Sequence, residues 1–206
     1  MTARPGLLFV VSGPSGAGKD SLLEALRALR PDVRYSVSAT TRAPRPEERD
    51  AEHYFFLSRE EFERRRDGGG LLEWREYNGN LYGTPRDYIE RSLARGDDLI
   101  VKPEVNGALA IKRAYPEAVL IFLAPDGFAH LRSRLVARGT DSGIEIENRL
   151  AIAREELKFA QNFDYLIVNE QGRMDAALSS VAAILEAEHC RMHRYDAGAI
   201  ARLQSE

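Results

Sequence analysis

The sequence predicts an α/β fold in which helices flank a five-stranded parallel sheet. Short apolar runs such as Leu7 to Val11 alternate along the chain with segments whose apolar residues recur at helical spacing. Strands that alternate with helices are typical of a parallel sheet covered on both faces. A hairpin signal between about Ser36 and Arg95 interrupts this alternation, which predicts an inserted mixed α+β subdomain.

The N-terminal elements follow from apolar spacing and from breaker residues. The run from Leu7 to Val11 is continuous and bounded by glycines, as expected for a fully buried strand. A helix follows the glycine-rich segment after it and stops at Pro31. A second strand is predicted from Tyr35 to Ala39.

The interrupting segment contains its own strand, helix and hairpin signals. Tyr54 to Leu57 predicts a short strand, and Ser58 stands three residues before Glu61 as in a capping box. Asn78-Gly79 favours a tight turn between strands Leu71 to Tyr77 and Leu81 to Tyr82. Thr84 and Pro85 are predicted to cap and open the next helix.

From Leu99 onward, strands and helices alternate again. The predicted strands are Leu99 to Val101, Val119 to Leu123 and Tyr165 to Val168, and the predicted helices are Asn106 to Ala114, Phe128 to Arg138, about Ile144 to Gln161, and one from near Met174. These elements complete the predicted five-stranded sheet.

Composition narrows the class of protein. The net charge of -3 argues against a general nucleic-acid binder, although 25 of the 29 cationic residues are arginines. Cys190 is the single cysteine, which excludes a disulfide framework and fits a reducing compartment. The N-terminal residues lack the pattern of a signal peptide, and no apolar run reaches membrane-spanning length. We therefore expect a cytoplasmic protein without membrane or nucleic-acid partners.

The glycine-rich segment from Gly13 to Ser21 predicts a phosphate-binding loop. It has the spacing Gly-x-x-x-x-Gly-Lys, and it lies between a buried strand and a helix. Successive backbone N–H groups in such a loop converge on one anion, and the helix N-terminus favours negative charge. The residues predicted to bind the phosphates of ATP are Gly13, Pro14, Ser15, Gly16, Ala17, Gly18, Lys19, Asp20 and Ser21.

One position departs from the usual phosphate-loop pattern. The Ser or Thr that normally follows the lysine and ligates Mg²⁺ is replaced by Asp20, with Ser21 next. A carboxylate is a good ligand for Mg²⁺, but it also repels the phosphates. Asp20 therefore either binds the metal directly, binds it through water, or faces away while Ser21 takes its place.

A second group of polar residues predicts a site for another phosphorylated ligand. Arg42 and Arg45 lie three residues apart in a proline-stiffened segment, and such guanidinium groups pair bidentately with phosphate oxygens. Tyr54, Tyr82 and Thr84 add hydroxyl groups. Glu73 lies on an otherwise apolar strand, and one carboxylate can accept both donors on the pairing edge of guanine.

Several blocks of the sequence resemble guanylate kinase in their order and spacing. They are VSATTRAPRPEE, EHYFFLSREEFERR, LLEWREYNGNLYGTP and RGTDSGIEIENRLAIAREEL, within a similarity that runs from about Leu8 to Asn169. The resemblance implies transfer of a phosphoryl group from ATP to GMP with Mg²⁺, and GMP binding by Ser38, Arg42, Arg45, Tyr54, Glu73, Tyr82 and Thr84.

The resemblance also implies roles for residues outside these two clusters. Arg138 and Arg149 would act with Lys19 and Arg42 as catalytic residues from a mobile lid, the alternative being surface ion pairs with nearby glutamates. Asn169 would contact the ATP adenine. The family's Asp-Val-Gln-Gly stretch is here Glu104-Val-Asn-Gly107, so Glu104 would contact either the guanine amine or the hydration shell of Mg²⁺.

Taken with the resemblance, the sequence predicts a P-loop kinase core, an inserted GMP-binding subdomain and a helical lid. The expected core comprises residues 1–35, 96–126 and 162–206, the subdomain residues 36–95, and the lid region residues 127–161. Two other functions stay open, namely a ribose 1,5-bisphosphate kinase, whose loop resembles GKDSLL, and a guanylate-kinase-like scaffold that binds proteins. The sequence does not distinguish a monomer from a homodimer or a preference for GMP from one for dGMP. It also leaves open which of Asp20 and Ser21 ligates Mg²⁺.

Overall fold

The computed structural model describes residues 6–77, 79–137 and 143–195. Its first sheet contains five parallel strands in the order β2-β7-β1-β8-β9. These strands are β1 (Leu8–Ser12), β2 (Arg34–Tyr35), β7 (Leu99–Val101), β8 (Val119–Pro125) and β9 (Tyr165–Asn169). The predicted α/β class with a five-stranded parallel sheet is therefore confirmed.

Seven α-helices are found in the described part of the chain. They are α1 (Lys19–Leu29), α2 (Arg59–Asp67), α3 (Arg86–Ala94), α4 (Val105–Ala114), α5 (Phe128–Ala137), α6 (Gly143–Leu157) and α7 (Met174–His189), with short 3-10 helices at Ala160–Asn162 and Met192–Arg194. Helices α1 and α7 pack on one face of the parallel sheet, and α3 and α4 pack on the other.

The alternation of side chains along β1 explains this two-sided core. Phe9 and Val11 contribute to the cluster with α1 and α7, whereas Leu8 and Val10 contribute to the cluster with α3 and α4. Successive side chains of a strand point to opposite faces, so a strand buried on both faces must be apolar throughout. Leu8 to Val11 are all buried, as the continuous apolar run predicted, and Ser12 at the end of β1 is buried with its hydroxyl group donating to the Pro103 carbonyl oxygen at 2.9 Å.

The second sheet has four strands of mixed direction. It comprises β3 (Ser38–Thr40), β4 (Tyr54–Phe56), β5 (Leu71–Tyr77) and β6 (Asn80–Pro85), in the order β4-β3-β6-β5. Strands β5 and β6 form the predicted antiparallel hairpin, and Gly79 in its turn has a φ of 73°. In the cap of α2, Ser58 accepts a hydrogen bond from the Glu61 N–H at 3.1 Å, as its sequence pattern predicted.

Two local predictions were wrong. The single strand predicted from Tyr35 to Ala39 is divided: the Ser36 N–H still donates to the parallel sheet at Ile100, but Ser38 already pairs with Tyr54 in the mixed sheet. Apolar spacing carries no information about which sheet a strand joins. Thr84 does not cap α3, because its hydroxyl group bonds to Glu73 and the N-cap position falls on Pro85.

A small separate cluster holds the two helices that follow β8. Leu131 and Leu135 of α5 pack against Ile146, Leu150 and Ala153 of α6. None of the helices in the described residues is long and apolar enough to span a membrane.

Candidate functional site

The glycine-rich loop lies between the end of β1 and the start of α1, as the spacing predicted. Gly13, Gly16 and Gly18 have φ angles of 142°, 88° and 97°, a region that other residues rarely adopt. A Cβ atom at Gly13 would lie 2.1 Å from the Leu123 carbonyl oxygen of β8. The loop therefore needs glycine both for its backbone conformation and for its close approach to the sheet.

Lys19 folds back over this loop. Its ammonium group donates hydrogen bonds to the carbonyl oxygens of Gly13 and Pro14, the second at 2.9 Å. Burial lowers the pKa of Lys19 to about 8, against the opposing effect of the nearby Glu156 carboxylate. Burial likewise raises the pKa of Glu156 to about 7. The cleft thus holds a cation and a carboxyl group that each stabilise the charge of the other.

The side chains of Asn169 and Arg134 donate hydrogen bonds to the backbone of the glycine-rich loop. The Asn169 amide donates to the Ala17 carbonyl oxygen at 2.8 Å, and its side chain is 2% exposed. The Arg134 guanidinium donates to the Asn169 carbonyl oxygen at 3.0 Å and to the Ala17 carbonyl oxygen at 3.4 Å. The contact of Asn169 with adenine stays a prediction, whereas its bond to the loop is a role that the sequence pattern did not indicate.

Asp20 is paired with a lysine from another part of the chain. Lys102, the residue after β7, forms an ion pair with the Asp20 carboxylate. Asp20 and Ser21 are both exposed on the first turn of α1, beside Lys19. This arrangement brings together two ammonium groups and one carboxylate at the end of the loop.

Glu73 has the buried environment that its position on an apolar strand predicted. Its Oε1 atom accepts a hydrogen bond of 2.5 Å from the Thr84 hydroxyl group. Burial raises the pKa of Glu73, and the Thr84 bond opposes this effect. A Cβ atom at Gly107 of α4 would lie 2.9 Å from Glu73 Oε2, so the backbone of α4 packs directly against the carboxylate.

Arg42 lies between an acidic residue and two aromatic rings. Its guanidinium group donates to Glu48 at 2.7 Å and lies 5.5 Å from the Tyr54 ring centroid and 5.8 Å from that of Phe56. The Arg42 hydrogen bond lowers the pKa of Glu48 to about 2. Arg45 is exposed, and its backbone N–H donates to Glu48 at 2.8 Å. Glu48 therefore accepts hydrogen bonds from both residues of the predicted arginine pair.

Glu104 is paired with Arg75, a residue that the sequence did not single out. Arg75 in β5 forms an ion pair with the Glu104 carboxylate, and its guanidinium carbon lies 5.7 Å from the Tyr82 ring centroid. This contact links the mixed sheet to the residue just before α4. Neither Arg75 nor Lys102 belongs to a recognisable motif. The position of Lys102 directly after a parallel strand nevertheless indicates a site residue, because ligands bind at the carboxyl ends of the strands in such sheets.

One cleft joins the loop to the mixed sheet. Its volume is about 720 Å³, and the predicted residues that line it are Gly13, Ser15, Lys19, Ser38, Tyr54, Glu73, Tyr82, Glu104 and Arg149. Further lining residues that the sequence did not indicate include Arg75, Lys102 and Glu156. The predicted residues that are not among those lining this cleft include Asp20, Ser21, Arg42, Arg45, Thr84 and Asn169, and Arg138 lies outside the described residues.

Comparison with known families agrees with this arrangement. A family model described as Guanylate kinase matches residues 6–188. The chain belongs to the guanylate kinase family.

Curated relatives support the same assignment over nearly the whole chain. A guanylate kinase from Halalkalibacterium halodurans is 45% identical over 194 residues, which cover 94% of both chains. One from Bacillus cereus is 46% identical over 196 residues, again with 94% of both chains covered. The crystal structure of guanylate kinase from Anaplasma phagocytophilum has a TM-score of 0.74 at 30% identity, covering 98% of this chain and 96% of that one. This guanylate kinase family member is thus an enzyme, a nucleoside monophosphate kinase.

Proposed function

We propose that the cleft binds ATP at the glycine-rich loop and GMP at the mixed sheet, and transfers the γ-phosphoryl group directly between them to give ADP and GDP. The observation that carries this proposal is the shared cleft, which exposes Lys19 and Glu73 to one continuous space. A phosphoryl donor and a purine acceptor need such a space, because direct transfer requires the two phosphates to meet without water between them.

On the donor side, the backbone N–H groups of residues 15–21 surround the β-phosphate, and Lys19 exchanges its two carbonyl partners for phosphate oxygens. These carbonyl contacts keep the ammonium group close to the loop before the nucleotide arrives. A lysine in this position neutralises negative charge on the β- and γ-phosphates. The family's use of ATP supports this assignment.

On the acceptor side, Glu73 reads the base and the arginines bind the phosphate of GMP. The Glu73 carboxylate and the Thr84 hydroxyl group suit the donors and the acceptor on the guanine edge. Ser38, Tyr54 and Tyr82 supply further hydroxyl groups around the same cleft. Arg42 exchanges Glu48 for the phosphate, and Arg45 joins it from the exposed segment beside it.

The transfer itself needs little covalent chemistry from the protein. Negative charge accumulates between the two nucleotides, and positioned cations stabilise it. We assign this role to Lys19, Arg42 and the lid residues Arg138 and Arg149, of which Arg149 lines the cleft. The division into a core, a GMP-binding subdomain at 36–95 and a lid region at 127–161 belongs to the same proposal, since closure of a lid excludes water from the phosphates.

Mg²⁺ is the metal that such a reaction normally uses, and it would neutralise phosphate charge when bound. The exposed Asp20 carboxylate and Ser21 hydroxyl beside Lys19 are oxygen ligands of the hard type that Mg²⁺ prefers, so the residues present fit the ion. Glu104 offers a third oxygen donor across the cleft, where its carboxylate is paired with Arg75. Mg²⁺ in kinases keeps several waters and phosphate ligands, so a complete protein cage is not required.

A coupled assay of ADP formation tests the proposed acceptor. It should be run with MgATP and, in separate reactions, GMP, dGMP, AMP and ribose 1,5-bisphosphate. We expect turnover with GMP, and with dGMP if the ribose 2′-hydroxyl is not read. Turnover with ribose 1,5-bisphosphate alone, or GMP binding by calorimetry without turnover, would replace the proposal with the sugar kinase or the scaffold function respectively.

A further inference from the structure

The ion pair between Lys102 and Asp20 joins two distant parts of the chain at the glycine-rich loop. Asp20 directly follows Lys19 on the first turn of α1, whereas Lys102 lies 82 residues later in the chain, at the carboxyl end of β7. Strand β7 is the neighbour of β1 in the parallel sheet. The fold therefore brings Lys102 to the same edge of the sheet as the loop, and Lys102 lines the cleft.

This pair is poorly placed to stabilise the fold. The side chain of Asp20 is 70% exposed and that of Lys102 is 42% exposed. Exposed ion pairs contribute little to stability, because water screens them and two flexible side chains must be ordered. A cation held at this position therefore has its main effect on what binds in the cleft rather than on unfolding.

The charge balance of the loop indicates what that effect is. A phosphate loop attracts a polyanion through its N–H groups and Lys19, but the Asp20 carboxylate adds a negative charge one residue away. Lys102 cancels this charge. Lys19 and Lys102 both line the cleft, so both ammonium groups act on the same small space.

We propose that Lys102 is a positioning residue of the donor site: its ammonium group holds the Asp20 carboxylate and cancels the negative charge that Asp20 brings next to the triphosphate. The proposal rests on the proposed binding of ATP at residues 13–21. It predicts that Lys102 acts through Asp20, so that removal of Lys102 costs affinity for ATP only while Asp20 is present.

The experiment is a double-mutant cycle with Asp20→Ser, Lys102→Met and the variant carrying both. Steady-state KM and kcat are measured for ATP and for GMP, and MgATP binding is measured separately by calorimetry. Lys102→Met should raise the KM for ATP about 10-fold, because a charge about 4 Å from a phosphate acts in a partly screened medium. The KM for GMP should stay within about two-fold, and the melting temperature should change little.

The decisive comparison is between variants that keep the Lys102–Asp20 ion pair and variants that remove one or both of its charges. The double variant should bind ATP no more weakly than Asp20→Ser alone, and Lys102→Arg should retain most of the affinity because it keeps the charge. Lys158→Met is the matched control, since it removes a lysine that is 67% exposed and paired with Glu155 outside the cleft, and it should leave both KM values unchanged.

The proposal is overturned if Lys102→Met leaves the KM for ATP unchanged, or if removal of Lys102 costs as much with Ser at position 20 as with Asp. Should Lys102→Met not fold, the comparison of Asp20→Ser with the double variant still tests the proposal: with Ser at position 20, removal of Lys102 should leave the KM for ATP within about two-fold, and a larger loss overturns it. Calorimetry of MgATP binding distinguishes failure of this proposal from failure of the proposed function. If Lys19→Met binds MgATP as tightly as wild type does, the assignment of the loop itself is wrong. If Lys19→Met loses binding and Lys102→Met does not, only the role of Lys102 is refuted.

Discussion

The glycine-rich loop is packed so closely on its neighbours that Gly13, Gly16 and Gly18 have no room for a Cβ atom, whereas the acceptor side is held by ion pairs between partly exposed side chains. At Gly13 an added Cβ would meet a carbonyl oxygen of β8 at 2.1 Å. Across the cleft, Arg42 is paired with Glu48 and Arg75 with Glu104. If the proposed function is correct, the donor side is organised before a ligand arrives, while the acceptor side exchanges its internal partners for ligand atoms.

The largest effect is expected at Lys19, because it is the cation of the glycine-rich loop and lines the cleft. Lys19→Met should lower kcat/KM roughly 10³-fold or more, since charge stabilisation is the main contribution to phosphoryl transfer. Steady-state kinetics measure the loss, and circular dichroism with thermal melts should show an intact fold. A variant with wild-type turnover would show that the loop does not hold the transferred phosphate.

Glu73 tests the acceptor side at the carboxylate proposed to read the base. Glu73→Gln replaces one acceptor oxygen with a donor amide, so the KM for GMP should rise about 100-fold, the cost of losing a charged hydrogen bond. The KM for ATP should stay within about two-fold. Equal losses for both substrates would contradict a role in reading the base.

The pH dependence of GMP binding provides an internal control. Burial raises the pKa of Glu73, and the carboxylate form is the one that accepts hydrogen bonds from guanine. Affinity for GMP is therefore complete above this raised pKa and declines as the pH falls through it. In Glu73→Gln this decline should disappear, because the amide does not titrate. A decline that persists in the variant would assign it to another group.

Asn169 distinguishes support of the loop from contact with the base of ATP. Asn169→Ala removes the bond to the Ala17 carbonyl oxygen, which should destabilise the fold by about 1–3 kcal/mol and raise the KM for ATP about 10-fold. If Asn169 acts only on the loop, ATP and GTP as phosphoryl donors should lose equally. A change in the ratio of their kcat/KM values would instead establish contact with the adenine ring.

Arg75 is where the smallest effect is expected. Arg75→Ala removes a partly exposed ion pair with Glu104, and such pairs are worth about 0–1 kcal/mol, so the KM for GMP should change by about five-fold at most. The KM for ATP is the control and should not change. A loss as large as that of Glu73→Gln would show that the acceptor side is as fixed as the loop.

The sequence predicted the parts of this molecule that depend on local spacing. The loop, the capped helix at Ser58 and the hairpin around Gly79 all follow from a few neighbouring residues. The resemblance to guanylate kinase supplied the acceptor residues, and the family is now shown. The role of each individual residue, including Arg45 and Arg149, stays a prediction.

What the sequence could not predict are contacts between residues far apart in the chain. Lys102 meets Asp20 across 82 positions, and Arg134 meets Asn169 across 35. Such pairs form only once parallel strands align their carboxyl ends, and no local pattern encodes that alignment. The division of the strand predicted from Tyr35 to Ala39 has the same origin, because the choice between two sheets is made by distant partners.

Gly107 presents only a hydrogen atom to the Glu73 carboxylate, at the position where any other residue would carry a Cβ atom. With 2.9 Å between the position of a Cβ atom and Glu73 Oε2, the flexible end of the glutamate would have to yield before the helix backbone did. The placement of the carboxylate that we propose to read guanine thus depends on a residue with no functional group. An alanine scan aimed at polar side chains would pass over this position, although it sets the size of the pocket.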